Sequence, residues 1–503
     1  MLAIVRSATL LGVHGQPVTV EVHVSSGLPC FAIVGLPDAS CREARDRVRA
    51  ALLCSGRTFP LMRITVNLAP SGVRKVGAGL DLAIAVGILV ASEQLPKDAL
   101  AAGYLGELGL DGSVRPVVGA LPMAAAVDAP SLVVAEANGP EAALVVPDRV
   151  CTVGTIAELI ECAEGRSPWS RPRPGEPDPP ARVPDLAEVR GNLVARRALE
   201  VAAAGGHHLL FVGPPGGGKT MLAERLPGLL GELSPDRALE VSTIHSAAGQ
   251  ALPRSGLVRR PPFRAPHHTT SQVALVGGGS HALRPGEASL ASGGVLFLDE
   301  LGEFSPHALD ALRQPLEQGV VRVARAHSSA TLPARFQLVA AMNPCPCGAL
   351  GTGACRCSEA GLARYRRRLS GPLLDRFDLR VLVRPTASAD LLAAAPGEPS
   401  AVVADRVAAA RVRARARGVE CNRELDAAQL EAAAPFDRSA EQLLRRAVDE
   451  GRLSGRGLRR VRAVALTLAD LADVPAPLGA ATVAEAMALR AELRFGDELG
   501  GAA

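Results

Sequence analysis

The sequence predicts an α/β protein: a parallel sheet around a phosphate-binding loop, an α+β domain before it and an all-helical region after it. Three observations predict this. Gly213-Pro-Pro-Gly-Gly-Gly-Lys-Thr220 fits G-x-x-x-x-G-K-[ST] between an apolar run, His208 to Val212, and a helix start at Met221 to Leu226. Two further apolar runs, Gly294 to Leu298 and Phe336 to Met342, end in Asp299-Glu300 and in Asn343. From Ser388 onward the chain is rich in Ala, Leu and Arg and reads as helical.

The chain has 503 residues, more than one ordinary domain, and the length prior gives about three. Boundaries are expected at 1–165 for the first domain, 166–184 for a linker, 185–385 for the P-loop core and 386–503 for the helical part. The net charge of +4 does not by itself argue for nucleic acid, although arginines cluster after residue 360. Met1-Leu-Ala-Ile-Val-Arg lacks the basic start and long apolar core of a signal peptide. The longest apolar run, Leu82 to Ala91, is too short to span a bilayer and is flanked by Asp81 and Glu93. A cytoplasmic chain without a membrane partner is expected. Of the ten cysteines, those outside 345–357 are scattered and read as reduced thiols.

In the first domain, Val18 to Val24 alternates with period two, as a half-buried strand does. Ala39 to Cys54 reads as an amphipathic helix, Ile64 to Leu68 as a strand and Asp81 to Ala91 as a buried helix. Gly106 to Val114 reads as two short strands turned at Asp111-Gly112. Arg166 to Pro180 is dense in proline and predicts an extended, semi-rigid linker. Asp185 to Gly205 reads as helical.

Gly213, Pro214, Pro215, Gly216, Gly217 and Gly218 form a loop whose backbone N–H groups can turn toward phosphate oxygens. Lys219 can reach β- and γ-phosphates, and Thr220 can hold Mg²⁺, so ATP with Mg²⁺ is the expected ligand. Asp299 and Glu300 emerge at the C-terminal edge of a strand that is apolar throughout, as a strand of a parallel sheet is. Asp299 suits Mg²⁺, and Glu300 suits orienting and deprotonating a water. Asn343, after the third strand, can contact the γ-phosphate or that water. Two Gly/Pro/His-rich excursions interrupt the core. The first, about 253–292, carries His281 and Arg284. The second, about 319–334, reads as a hairpin carrying Arg322, Arg325 and His327. Cys345, Cys347, Cys355 and Cys357 form two C-x-C pairs, which can supply four thiolates to Zn²⁺ or stand as free thiols in a Gly-rich loop. Arg411, Arg413, Arg415 and Arg417 recur every second residue and read as a solvated helical surface.

The stretches GPPGGGKT (213–220), PFRAPHHT (262–269), GVLFLDEL (294–301), VAAMNPCPCG (339–348), SGPLLDRFDL (370–379) and SGRGLRRV (454–461) resemble the magnesium-chelatase-like AAA+ ATPases of the YifB/ComM group. VGLPD (34–38) and VNLAPSG (66–72) belong to the same resemblance, which covers nearly the whole chain. It implies a ring, usually a homo-hexamer, whose sites are completed by neighbours. Arg376 then looks like the arginine finger. Arg456 looks like sensor 2, with Arg459 and Arg460 as competitors. Asn343 looks like sensor 1. The chain departs from the family at Asn192, where Gln is frequent, and at Ser292, where His is frequent. Neither position is expected to touch the phosphate chemistry.

The first domain resembles a Lon-protease-type domain. Ala78 falls near the nucleophilic Ser of such peptidases and Pro122 where their Lys stands, so no peptidase activity is expected; Ser71 and Lys75 lie close by. The resemblance implies a motor on DNA, single-stranded or branched, as in ComM helicases. A chelatase-type motor working through a partner subunit is the alternative, and a Lon-like protease the third.

Overall fold

The computed structural model describes residues 1–173, 183–279, 283–325, 328–350, 354–368, 371–385 and 397–490. His281, His327, residues 174–182 of the proline-rich linker and the segments 386–396 and 491–503 lie outside the described residues.

The N-terminal sheet has the order β3-β4-β2-β1-β5-β8-β9. Its strands are β1 (Leu2–Leu11), β2 (His14–Ser25), β3 (Cys30–Val34), β4 (Arg63–Ala69), β5 (Gly103–Leu105), β8 (Leu132–Ala135) and β9 (Val150–Val153). Two short strands, β6 (Glu107–Leu108) and β7 (Val114–Arg115), pair antiparallel around the expected Asp-Gly turn. β1 and β2 pair antiparallel with Val5 opposite Val20, so both bury the same face. The helix Asp81–Ala91 is buried along its whole length and covers β1 and β2. The helix Ala39–Cys54 packs beside it through Val48, Ala51 and Leu52, capped by Asp38.

The first residues of the proline-rich stretch are not linker. Thr152 N donates to Ser170 O at 2.9 Å, Trp169 packs on the domain core, and Arg171 donates to Val150 O at 3.1 Å. Proline density excludes regular structure but not edge pairing by the residues between prolines. The helical reading of Asp185 to Gly205 also shortens. The helix runs Leu193–Gly205, because Gly191 and Asn192 both take left-handed dihedrals just before it.

The core sheet contains β10 (Leu209–Val212), β11 (Phe263–Arg264), β14 (Val295–Leu298), β17 (Gln337–Met342) and β18 (Leu379–Leu382), in the order β11-β14-β17-β10-β18. All four pairings are parallel. β10, β14 and β17 are buried at every residue, which explains their unbroken apolar runs. The excursions form β12 (Gly277–Gly278) with β13 (Arg284–Pro285), and the hairpin β15 (Val320–Arg325) with β16 (Ser328–Pro333). The N-terminal domain rests on this core. Val13 shares a buried cluster with Ile244, Val321 and Leu332, and Ser246 donates to Glu141.

The helical region comprises Ser400–Ala416, Ala427–Ala433, Arg438–Asp449, Gly455–Ala472 and Ala480–Ala488. Its arginine row is not the solvated surface expected from the sequence. Arg411 donates to Ala203 O at 2.8 Å, and Arg413 donates to Asp470 O at 3.1 Å and pairs with Asp473. Arg417 pairs with Asp470, so only Arg415, paired with Glu420 at 3.3 Å, keeps to the surface. Long arginine stems cover the apolar helix while their heads reach carbonyls across it, which i, i+2 spacing does not foretell. No helix among the described residues is long and apolar enough to cross a membrane.

Candidate active site at the C-terminal edge of the core sheet

β10 lies between β17 and β18, so the loop that follows it leaves an interior strand of the sheet. A Cβ on Gly213 would sit 2.2 Å from Val383 O, so only glycine lets the chain pass there. Gly218 has φ 82° and hands the chain into the helix Lys219–Leu229. The loop therefore places Lys219 and Thr220 in the first turn of a helix, where backbone N–H groups point outward.

Lys219 Nζ donates to Gly213 O and Pro214 O at 2.8 Å each and to Asn343 Oδ1 at 3.1 Å. Burial lowers its pKa, against the pull of Asp299 and Glu300. Thr220 Oγ1 donates to Asp299 Oδ2 at 2.7 Å. Asp299 Oδ1 accepts Glu300 N at 2.9 Å. Glu300 takes a left-handed φ of 50°, a costly conformation for a non-glycine residue and one concentrated at functional sites. The register of the parallel strands thus brings Lys219, Thr220, Asp299, Glu300 and Asn343 together as the sequence expects.

A hydroxyl and a carboxylate at one point form a hard oxygen donor set, which fits Mg²⁺. The four cysteines also converge. Their sulfurs all lie within 4.8 Å of one another, with Sγ separations of 3.4 Å for Cys345–Cys347, 3.6 Å for Cys347–Cys355 and 3.8 Å for Cys345–Cys355. A tetrahedron with ~2.3 Å zinc–sulfur bonds has edges of about 3.8 Å, so the thiol set fits Zn²⁺. The cluster is joined to the phosphate loop, because Gly348 abuts the Pro215 ring. Tyr365 OH donates to Asn343 O at 3.0 Å and braces the intervening turn.

No hydrogen bond or ion pair among the described residues links Arg376 or Arg456 to this group. Arg376 donates to Pro372 O and pairs with Glu317. Arg456 is exposed at the start of the helix Gly455–Ala472. Its competitors are otherwise engaged. Arg459 donates to Leu425 O at 2.9 Å, and Arg460 donates to Arg376 O at 2.7 Å and Asp378 Oδ1 at 2.6 Å.

Asp378, buried, also accepts His208 N at 2.9 Å and Arg423 Nε at 3.2 Å. Burial pushes this carboxyl up, but Arg423, Arg460 and His207 outweigh it and hold the pKa well below the ordinary 3.8. One carboxylate thereby joins strand β10 to two helical-region arginines.

Two residues had more to do than the sequence shows. Asn192, expected to stand clear of the phosphate loop, donates from Nδ2 to Gly217 O at 3.5 Å. His268 Nδ1 lies 3.2 Å from Glu300 Oε2. The histidine pair stands out in the sequence, but its partner is visible only once β11 is seen to lie beside β14.

In the N-terminal domain, Ala78 and Pro122 are buried. Lys75 is fully buried, its ammonium donates to Pro70 O, and burial lowers its pKa. Ser71 is exposed and makes no hydrogen bond to it among the described residues.

A five-stranded parallel sheet in this order, with the phosphate loop after the interior strand β10 and acidic and amide residues at the same edge, defines a P-loop core of AAA+ type, here followed by a helical region. Models of the magnesium chelatase subunit ChlI match residues 185–391 and 20–138, and the ChlI C-terminal model matches 397–490. An uncharacterized protein of Mycobacterium tuberculosis is 46% identical over 96% of this chain and 97% of its own length. The uncharacterized protein YifB of Escherichia coli is 43% identical over 93% of each chain. Competence protein ComM of Haemophilus influenzae is 42% identical over 93% of this chain and 94% of its own. The chain belongs to the magnesium-chelatase-like AAA+ ATPase family, in the group of YifB and ComM.

Proposed function

We propose that this chain hydrolyses ATP in a self-assembled homo-hexameric ring and acts in the cytoplasm on DNA, single-stranded or branched, as a branch-migration helicase. The observation that carries the ATPase reading is the convergence of Lys219, Thr220, Asp299, Glu300 and Asn343 at one sheet edge. Loop residues 213–218 and Lys219 hold the phosphates. Thr220 and Asp299 would hold Mg²⁺, which would supply charge neutralisation to the phosphates. Glu300 takes the proton of the attacking water, and Asn343 orients that water against the γ-phosphate. Arg376 reaches the site of an adjacent subunit, and Arg456 is the sensor 2 of its own lid. Cys345, Cys347, Cys355 and Cys357 hold a structural Zn²⁺.

The DNA reading is supported by the likeness to a protein named for competence and by exposed cations on the excursions. Arg322 on β15 and Arg284 on β13 are exposed, and neither has an ion-pair partner among the described residues. Phosphate contacts through such groups do not read bases, which suits a motor that moves along a strand. A chelatase-type motor is the second reading, favoured by the ChlI name of the matching models. Pro122 and Ala78 argue against a third, peptidase, reading.

The deciding experiment compares ATP turnover alone and with single-stranded, duplex and forked DNA at low salt. Stimulation by DNA, and strand exchange on a forked substrate, are expected. A hexamer with no affinity for any DNA at low salt would turn the assignment to the chelatase-type motor.

A further inference from the structure

Arg376 precedes β18, which runs parallel to β10 with Leu379 opposite Leu209. The segment 376–378 therefore stands at the N-terminal edge of the core sheet, while the phosphate loop of the same chain leaves the C-terminal edge. The 4 residues of β10 separate these edges by on the order of 13 Å. The grip on this segment comes largely from the helical region. Arg460, in the second turn of the helix Gly455–Ala472, donates through the single nitrogen Nη1 to Arg376 O at 2.7 Å and to Asp378 Oδ1 at 2.6 Å. Arg490 Nη1 donates to Phe377 O and to Asp378 O, the latter at 3.1 Å. Arg423 Nε donates to Asp378 Oδ2 at 3.2 Å, and Arg380 N donates to Leu489 O at 2.8 Å. Phe377 is fully buried between these bonds. The backbone of Arg376 is thus pinned, but its guanidinium is lightly held. It meets Pro372 O and the exposed Glu317, and its buried Nε has no hydrogen-bond partner among the described residues.

We propose that Arg460, seconded by Arg490, is a positioning residue for Arg376, so that the helical region of one chain sets where its finger stands at the ATP of the adjacent subunit. The inference rests on the reading of Arg376 as an arginine finger. A guanidinium stabilises charge on a phosphoryl group only where that charge develops, and a displacement of about 1 Å can cost on the order of 10²-fold in rate. The Cα of Arg376 moves with its carbonyl, so the bond from Arg460 fixes the point from which the side chain extends. Arg423, Arg460 and Arg490 all belong to the helical region, and a shift of that region against the sheet carries the finger with it. No bond is made or broken by these arginines; they hold a backbone.

The test uses the full chain and measures kcat and KM for Mg-ATP. Arg460→Gln is too short to reach Arg376 O and leaves Asp378 paired with Arg423. It should lower kcat by about 10- to 100-fold with KM unchanged. Arg460→Lys keeps a charged donor and should recover part of that rate. In an Arg376→Ala background, Arg460→Gln should slow single-turnover hydrolysis no further, because a group that acts through Arg376 has nothing left to place. Arg490→Gln spares the Asp378 carboxylate, should lower kcat in the same sense, and decides the matter where Arg460→Gln does not fold. A merely structural arginine would lower Tm and leave the kcat of the folded chain as it was. A direct contact to phosphate would raise KM and add to the loss from Arg376→Ala. Either of those results overturns the inference alone. An Arg376→Ala chain that hydrolyses ATP at the wild-type rate overturns the finger reading and the inference together.

Discussion

Thr220 Oγ1 donates to Asp299 Oδ2 at 2.7 Å across 79 residues of sequence. Two motifs that a reader of the sequence joins by analogy are joined here by an atom pair. The loop after β10 and the end of β14 meet because β17 lies between the two strands in parallel register with both.

Lys219→Ala should remove tight ATP binding. The side chain bonds both the loop carbonyls and Asn343. Loss of a charged donor is worth ~1.5–3 kcal/mol, about ten- to a hundredfold in Kd. Titration with a fluorescent ATP analogue measures it; an unchanged Kd refutes the assignment.

Glu300→Gln should bind ATP normally and hydrolyse it slower by about 10²–10⁴, the range of a lost general base. The amide keeps the shape but cannot accept the water's proton. Near-normal single-turnover hydrolysis would remove Glu300 from the role of base.

Arg376→Ala should leave ATP binding intact and cut hydrolysis by roughly 10³–10⁵. Its partner Glu317 is exposed, so the substitution strands no buried charge and the fold should survive. Mixed rings of Arg376→Ala and Lys219→Ala chains should regain activity, because some interfaces then hold an intact loop and an intact finger. Mixed rings without recovery would count against action in trans.

Asp378→Asn should lower Tm at neutral pH and cost ~3–5 kcal/mol, because Arg423 and Arg460 lose a buried counter-charge. The sign with pH follows from a depressed carboxyl: its contribution is present above 3.8 and fades below it. The Tm gap between wild type and variant should therefore narrow only in strong acid. Burial also lowers His207 from 6.5 to about 4, so both proteins should lose stability between those values as the unfolded chain takes up the proton first. Scanning calorimetry from pH 8 to pH 3 checks both windows.

Purified protein should carry about one zinc ion per chain, and Cys355→Ser should lose it. Because Gly348 abuts Pro215, metal loss should also weaken nucleotide binding. Metal content well below one, with the four thiols freely titratable, refutes the site.

The legible parts of this protein were those written in local pattern. Buried parallel strands announce themselves as apolar runs, so β10, β14 and β17 and the residues at their ends were readable. So were the helices Ala39–Cys54, through its amphipathic pattern, and Asp81–Ala91, through its apolar run. What failed was written in contacts between distant segments. The arginines of Ser400–Ala416 are spaced like surface charges, and only the packing of that helix on Leu193–Gly205 gives Arg411 a carbonyl to bond. Trp169 lies in a stretch whose composition suggests a linker, yet an open patch on the N-terminal core takes it in. The His268–Glu300 contact joins two loops beyond neighbouring strands, which no single segment encodes.

The pairing of β11 on β14 is independent of the length of the excursion between them. Residues can be added to or removed from the middle of that excursion, and the two strands will still pair by the same backbone bonds. His268 stays four residues past Arg264 and Glu300 two past Leu298 however the middle of the excursion is rebuilt. A designer can exchange the stretch between the helix Gln272–Val276 and Glu287, but not its flanks, because the cap at Ser271 and the Arg264–Glu287 pair anchor the loop that carries His268.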